Sequence, residues 1–354
     1  MVAGDTSHPL SHFRVVMYRL TLTARDTLHL PPYKGSTLRG GFGTMFRRVC
    51  CTMRERECKR CTLHPTCPYG YIFETAPPPG SEKLRVLDNI PRPFVLEPPL
   101  EAKTEYAPGE TMEFGLVLVG RAVEFFPYFV VTFRELGELG IGRGRGRYRL
   151  SKIQAVHPWR GEQEEVFHGD SAMVKNSRLL VTAEDLRLQV ERLQGARSLS
   201  LQLITMARLK YEDDLTDRLE FHVLVRALLR RLSTLSYFHH GVPLELDFRG
   251  LIGQAEGIRL VRHQTRWVDW ERYSRRQDRR MTLGGLVGEV TYEAEEEGNF
   301  DVYLPLLLWG ELVHVGKNAT FGLGQYRIDR ARTKGKAAGH SCGKGSGIVA
   351  AEKT

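Results

Sequence analysis

Two glycine-rich turns constrain what this chain can fold into more than any other feature. The first is Gly140-Ile-Gly142-Arg-Gly144-Arg-Gly146 and the second is Gly316-Lys-Asn-Ala-Thr-Phe-Gly322-Leu-Gly324; each stands between a helical pattern and a strand pattern. Reading outward from them, the chain passes twice through one order. In the first half, an alternating β-branched strand over residues 13–23 precedes a helix from Ser36 to Val49. In that helix Leu38, Phe42, Met45, Phe46 and Val49 recur at helical spacing. A proline-dense stretch over 76–99 reads as an extended loop with edge strands. A strand (111–119), a helix (121–139), the first turn and a strand (148–156) complete the half. The second half offers a strand at 198–209, a long amphipathic helix at 217–237 and strands near 259–268 and 284–292. A helix at 304–313, the second turn and a strand at 325–329 close it. Both halves therefore follow β-α-β-β-α-β, the order of a ferredoxin-like (RRM-like) unit. The expected class is α+β, with tandem ferredoxin-like domains over 10–157 and 171–330. A Cys-rich insertion interrupts the first domain at 50–70. Residues 331–354 are basic and glycine-rich, cannot bury a core, and are expected to be disordered.

Charge narrows the function classes. The 354 residues hold 51 Lys+Arg against 42 Asp+Glu, and 39 of the 51 are arginine. Arginine presents a planar fork of donors that suits phosphate oxygens and stacks on bases, so the bias favours a nucleic-acid partner. The arginines cluster: Arg143, Arg145, Arg147 and Arg149 alternate along the first turn and its strand, which would put them on one face. The segment from Arg259 to Arg280 interleaves eight arginines with Trp267, Trp270 and Tyr273, a composition suited to unpaired bases. No apolar run approaches the ~18 residues that a membrane helix requires, so no membrane partner is expected. The start carries no charged segment followed by an apolar core, and a cytoplasmic location is the expectation.

Five of the six cysteines fall between Cys50 and Cys67. Such a tight cluster reads as a metal site rather than a disulfide framework. The spacing Cys51-x6-Cys58-x2-Cys61-x5-Cys67 offers four soft ligands for structural zinc, with Cys50 and His64 as substitutes; an iron–sulfur cluster would use the same thiolates. For acid–base chemistry the candidates are His29, beside Tyr33 and Lys34, the pair His239 and His240 after the long second helix, and His314 before the second turn.

Several phrases resemble one family. HVGKNATFGLGQY (His314 to Tyr326) is similar to the C-terminal glycine-rich loop of the RAMP superfamily of CRISPR-associated proteins. LPPYKGSTLRGGFG (from Leu30), CPYGYIFET (from Cys67), RPFVLEPP (from Arg92), LSYFHHG (from Leu235) and DWERYSRRQ (from Asp269) resemble one branch of its precursor-RNA-processing endoribonucleases. The resemblance implies tandem ferredoxin-like domains with a basic cleft between them. It implies metal-independent cleavage of CRISPR repeat RNA, by 2′-hydroxyl attack that leaves a 2′,3′-cyclic phosphate and a 5′-hydroxyl. It also implies transfer of the product to other CRISPR effector subunits. Many members carry the catalytic histidine on or near the first helix, yet Ser36 to Val49 contains none. The catalytic set is then either His29 with Tyr33 and Lys34, or His239 with Tyr273, and the LSYFHHG phrase favours His239. Phosphate contacts fall to Arg39, Arg143, Arg145, Arg147, Arg272, Arg276 and Lys317, with Gly316, Gly322 and Gly324 shaping the second loop. The alternative class is a non-catalytic RAMP subunit that binds guide RNA in an effector complex.

Overall fold

The computed structural model describes residues 9–53, 57–77, 90–171, 173–274, 279–296 and 299–333, with the backbone alone at residues 59, 271–274 and 279–282. The tail expected to be disordered falls, from residue 334 on, outside the described residues. The first half runs β1 (Val15–Ala24), β2 (Leu28–His29), α1 (Gly35–Cys50), α2 (Pro68–Phe73), β3 (Phe94–Glu97), β4 (Glu105–Tyr106), β5 (Thr111–Val119), α3 (Phe126–Leu139), β6 (Tyr148–Val156) and β7 (Gln163–His168). The second half begins with α4 (Ala183–Leu193), β8 (Ser198–Ala207), β9 (Lys210–Tyr211), β10 (Asp214–Leu215), α5 (Phe221–His240) and α6 (Phe248–Glu256). It continues with β11 (Arg259–Val268), β12 (Glu271–Ser274), β13 (Arg279–Thr282), β14 (Gly285–Glu293), α7 (Leu304–Val313) and β15 (Tyr326–Ile328).

The two main sheets have equivalent orders. The first is β3-β5-β1-β6-β7 and the second β11-β14-β8-β15, with antiparallel neighbours throughout. Leaving out β7, each places its first and third long strands side by side at the centre, which fits the ferredoxin-like arrangement. The residues between the two expected domains, 158–170, supply β7, an edge strand paired to β6, so the first sheet extends to His168.

Alternation in β1 explains how the halves join. Val16, Tyr18, Leu20 and Leu22 point to one face, into an aromatic core beneath α1 and α3. There Phe42 of α1 lies within 6 Å of the rings of Phe46, Phe73, Phe94, Phe129 and Phe133. On the opposite face Val15, Val95, Val117 and Val119 enter the core of the second half, with the leucines of α5 and α7. The first sheet is therefore buried on both sides, and its second covering is the other half of the chain.

Histidines line the seam between the halves. His239, at the end of α5, is 3 % exposed. Its Nε2–H donates to the Pro91 carbonyl at 2.7 Å, which leaves Nδ1 to accept from the Tyr71 hydroxyl at 3.1 Å. Next to it, His240 Nε2 accepts from the Arg14 amide at 3.1 Å, and its ring stacks on Phe13 at 4.5 Å. Desolvation lowers both imidazoles from 6.5 to about 4, so they stay neutral. The sign follows directly: below pH 6.5 the unfolded chain takes up protons that the folded seam refuses, so stability falls with falling pH. For His239 the loss between pH 6.5 and 4 should reach on the order of 3 kcal/mol. Urea midpoints measured across that range should drop, and His239→Gln should flatten the dependence. An equal slope in the variant would contradict this account.

Candidate functional site

A cleft of about 860 Å³ opens where α1, the first glycine-rich turn and two residues of the second half meet. His29 lies in its wall, at the end of β2, and is fixed from both sides. β2 pairs with β4 so that His29 faces Glu105, whose Oε2 is 3.7 Å from the imidazole Nδ1. On the other side the Arg143 amide donates to the His29 carbonyl at 3.0 Å. That approach requires glycine next door: Gly142 has φ +74°, and a Cβ there would sit 2.2 Å from the His29 oxygen.

The turn divides the four alternating arginines into two pairs. Arg143 and Arg145 line the cleft, and neither forms an ion pair with a described residue. Arg147 is held by Asp26 at 2.8 Å, and Arg149 by Asp170 at 2.8 Å, so both are turned to structural ion pairs. Arg39 of α1 also lines the cleft, with its guanidinium 5.2 Å from the Phe321 ring. From the second half come Phe321 and Trp270. Trp270 packs edge-on against Tyr33, 4.7 Å between centroids. Composition marked the Arg259–Arg280 segment as aromatic-rich; among its described side chains, the Trp270 ring reaches the cleft. Glu105 and Phe321 were not read from the sequence, because both reach the cleft through pairings distant along the chain.

Of the other expected catalytic residues, His239, Lys34 and Tyr33 do not line the cleft. His239 is buried in the seam, its two ring nitrogens already bonded, and it is not among the cleft residues. Lys34 is fully buried, donating to the Glu101 carbonyl at 2.8 Å and to that of Pro32 at 3.2 Å, and burial holds its ammonium below the usual range. Tyr33 Oη donates to the Phe321 carbonyl at 2.8 Å, and burial holds its phenol well above the usual range. For Arg272 and Tyr273 the structure describes only the backbone, in the β12–β13 ribbon, and Arg276 falls outside the described residues.

The second glycine-rich turn docks onto the first half instead of standing free. Gly322, at φ +82°, lies where a Cβ would meet Pro98 at 2.3 Å and the Leu96 carbonyl at 2.7 Å. His314 Nε2 faces Glu97 Oε1 at 3.0 Å, and Gln325 Nε2 donates to the same oxygen at 3.2 Å. Gly316 rests on the Arg208 carbonyl and Gly324 on that of Val315, both at positive φ. Lys317 is exposed beside Arg208, Lys210 and Arg230; desolvation and then those cations lower its pKa, and it does not line the cleft.

The structure places the thiols of the expected ligand set at helix ends within one short segment. Cys50 and Cys51 close α1, Cys58 and Cys61 flank a one-turn 3-10 helix, and Cys67 precedes α2. Burial, with the nearby Cys67 and Cys51, pushes the Cys50 thiol up to about 12. His64 is engaged through Nε2 with the Glu74 carbonyl at 3.0 Å. Among the described residues no group of three or more Cys, His, Asp or Glu side chains is arranged to hold a metal ion.

Fold and cleft together define an α+β protein of two ferredoxin-like units, with an arginine-lined cleft that holds one histidine among its described walls. Residues 201–326 match the family model described as CRISPR-associated endoribonuclease Cas6, and residues 13–179 match the AF_1859_N model, described as an N-terminal domain. An uncharacterized protein of Archaeoglobus fulgidus is 25% identical over 302 residues, covering 85% of this chain and 93% of that protein. Among solved structures, a Cas6 product complex matches at 14% identity with a TM-score of 0.52, over 89% of this chain and 99% of that one. Thermus thermophilus Cas6 matches at 14% and 0.51, over 89% and 98%. A partial Cas6-RT-Cas1–Cas2 complex matches at 13% and 0.51, over 96% of this chain and 48% of that one. The resemblance to the RAMP-superfamily endoribonucleases is borne out, and the solved structures share the fold.

The partition of the arginines has a measurable consequence. Replacing Arg143 and Arg145 by alanine should reduce the slope of log affinity against log salt for a single-stranded RNA by roughly 0.7 per residue. Arg149→Ala should leave that slope nearly unchanged, since its guanidinium is already paired with Asp170. Equal slopes for the cleft and paired arginines would contradict the division.

Proposed function

We propose that this chain is an endoribonuclease that cuts CRISPR repeat RNA, the precursor of guide RNA. The observation that carries the reading is the placement of His29 in an arginine-lined cleft, in a chain whose second half matches the Cas6 family model. The neutral imidazole of His29 takes the proton of a ribose 2′-hydroxyl as its oxygen attacks the adjacent phosphorus. The bond from phosphorus to O5′ breaks, leaving a 2′,3′-cyclic phosphate, and O5′ takes its proton from water. Arg143 and Arg145, with Arg39 behind them, offset the charge that accumulates on the phosphorane. Glu105, 3.7 Å from Nδ1, helps to orient the ring. Trp270 offers a stacking surface for a base, and Tyr33 supports Trp270 rather than reacting. No step draws on a metal. The Cas6-RT-Cas1–Cas2 neighbour supports a chain of this fold working beside other CRISPR proteins.

A second reading, a guide-binding subunit without activity, is favoured by two observations: α1 carries no histidine, and Lys34 is committed to backbone carbonyls. The deciding experiment incubates the protein with labelled repeat RNA from its own locus in excess EDTA and maps the product ends. One cut ending in a cyclic phosphate is expected. His29→Ala should slow it by ~10²- to 10⁴-fold with binding kept within a few-fold. Tight binding without a cut, repeated without chelator, would assign the guide-binding role instead.

A further inference from the structure

A second cavity lies on the other side of α1, between that helix and α2 of the Cys-rich segment. Its volume is about 690 Å³, within the roughly 300–1,000 Å³ range of small-ligand sites. Arg39, Arg47 and Arg48 reach it from α1, and Arg92 from the loop just before β3. One carboxylate, Glu74, stands among them. Two flat rings complete the wall: Tyr69 and Phe73 stack at 5.1 Å, 14° from parallel. Guanidinium groups lie over those rings, Arg47 at 5.7 Å from Tyr69 and Arg92 at 6.0 Å from Phe73. The last gap is bare backbone, since a Cβ at Gly40 would meet nothing within 4 Å.

This cavity and the cleft share a wall. Arg39, Gly40 and Thr44 line both. The Arg39 guanidinium sits 5.0 Å from the Phe73 ring on the cavity side and 5.2 Å from the Phe321 ring on the cleft side. A strand lying in the cleft therefore meets a continuous path of cations and rings across α1. Guanidinium together with flat aromatic surface is the chemistry that holds phosphate and an unpaired base at once.

The geometry points to this cavity as a subsite for one or two unpaired RNA nucleotides flanking the segment held in the cleft. It rests on the proposed RNA-cleaving reading and adds to it a second anchor, built by α1 and the Cys-rich segment. The α2 helix then has a role besides packing: it presents Tyr69 to a base while Arg48 holds the neighbouring phosphate.

The test compares the full repeat RNA with versions trimmed from either side of the cut. The proteins are the parent chain, Arg48→Ala, Tyr69→Ala and Tyr69→Phe. On the full repeat, Arg48→Ala and Tyr69→Ala should bind roughly tenfold more weakly, with the cleavage rate at saturating RNA unchanged. Tyr69→Phe keeps the ring and should bind as the parent does, which separates loss of stacking from loss of fold. On the RNA trimmed of the flanking nucleotides, the parent should fall to the level of the variants and the variants should not fall further. Normal cutting with no penalty in either variant, or an equal penalty on every trimmed RNA, would overturn the subsite and leave the nuclease standing. Failure of the parent chain to bind any repeat RNA would overturn the nuclease reading and the subsite with it.

Discussion

The carboxylate of Glu97 is the contact on which the arrangement of the two halves depends. It ends β3, the edge strand of the first sheet, and it meets both His314 and Gln325 of the second glycine-rich turn. Partly buried, it is a charge taken from water, and it stays there because two ring or amide nitrogens face one of its oxygens. The turn can approach because Gly322 has no side chain to strike Pro98. Phe321, between these anchors, is thereby held in the cleft with its carbonyl on Tyr33. Misplacing Glu97 would shift Phe321 and Trp270 together, since Tyr33 touches both.

The repeated order of elements was legible because it rests on periodicity, which is local. Strands Thr111–Val119, Tyr148–Val156 and Arg259–Val268 and the helix Leu304–Val313 fall where alternation or helical spacing places them. What stayed hidden depends on partners far along the chain. The polar residues 163–168 form a strand only because β6 offers an edge. Arg147 looked like Arg145 in sequence, and Asp26, 121 residues away, makes the difference. His239 shows the same limit more sharply. A histidine pair after a long helix and before a glycine has the composition of a reactive loop end, yet α5 runs through His240 and buries His239 against Tyr71. His29 gave a weaker signal, a lone histidine between a strand and two prolines, and its place is fixed by Glu105 and Gly142 from separate segments.

In the Cys-rich segment the residues around the thiols have packing roles of their own. Its thiols lie at successive helix ends, and the residues between and after them serve the packing. Phe73 joins the aromatic core around Phe42, and Tyr71 holds the nitrogen of His239. The segment is thus tied to the first-half core and to the seam at the same time.

Helix α1 carries a cost that the rest of the molecule explains. Glycines at 40, 41 and 43 each weaken a helix interior by up to about 1 kcal/mol relative to alanine. The buried stripe of Leu38, Phe42, Met45 and Phe46 offsets this through the aromatic core. Gly35 and Gly41 have packing reasons, for a Cβ would strike the Phe321 carbonyl or crowd Leu136. Gly40 has none: open space surrounds it, and it lies on the shared wall of both cavities. A helix that gives up stability at a position where nothing in the fold demands it leaves backbone bare for something outside the fold. With guanidinium groups on either side, the partner such a surface fits is a flexible chain of phosphates and flat bases.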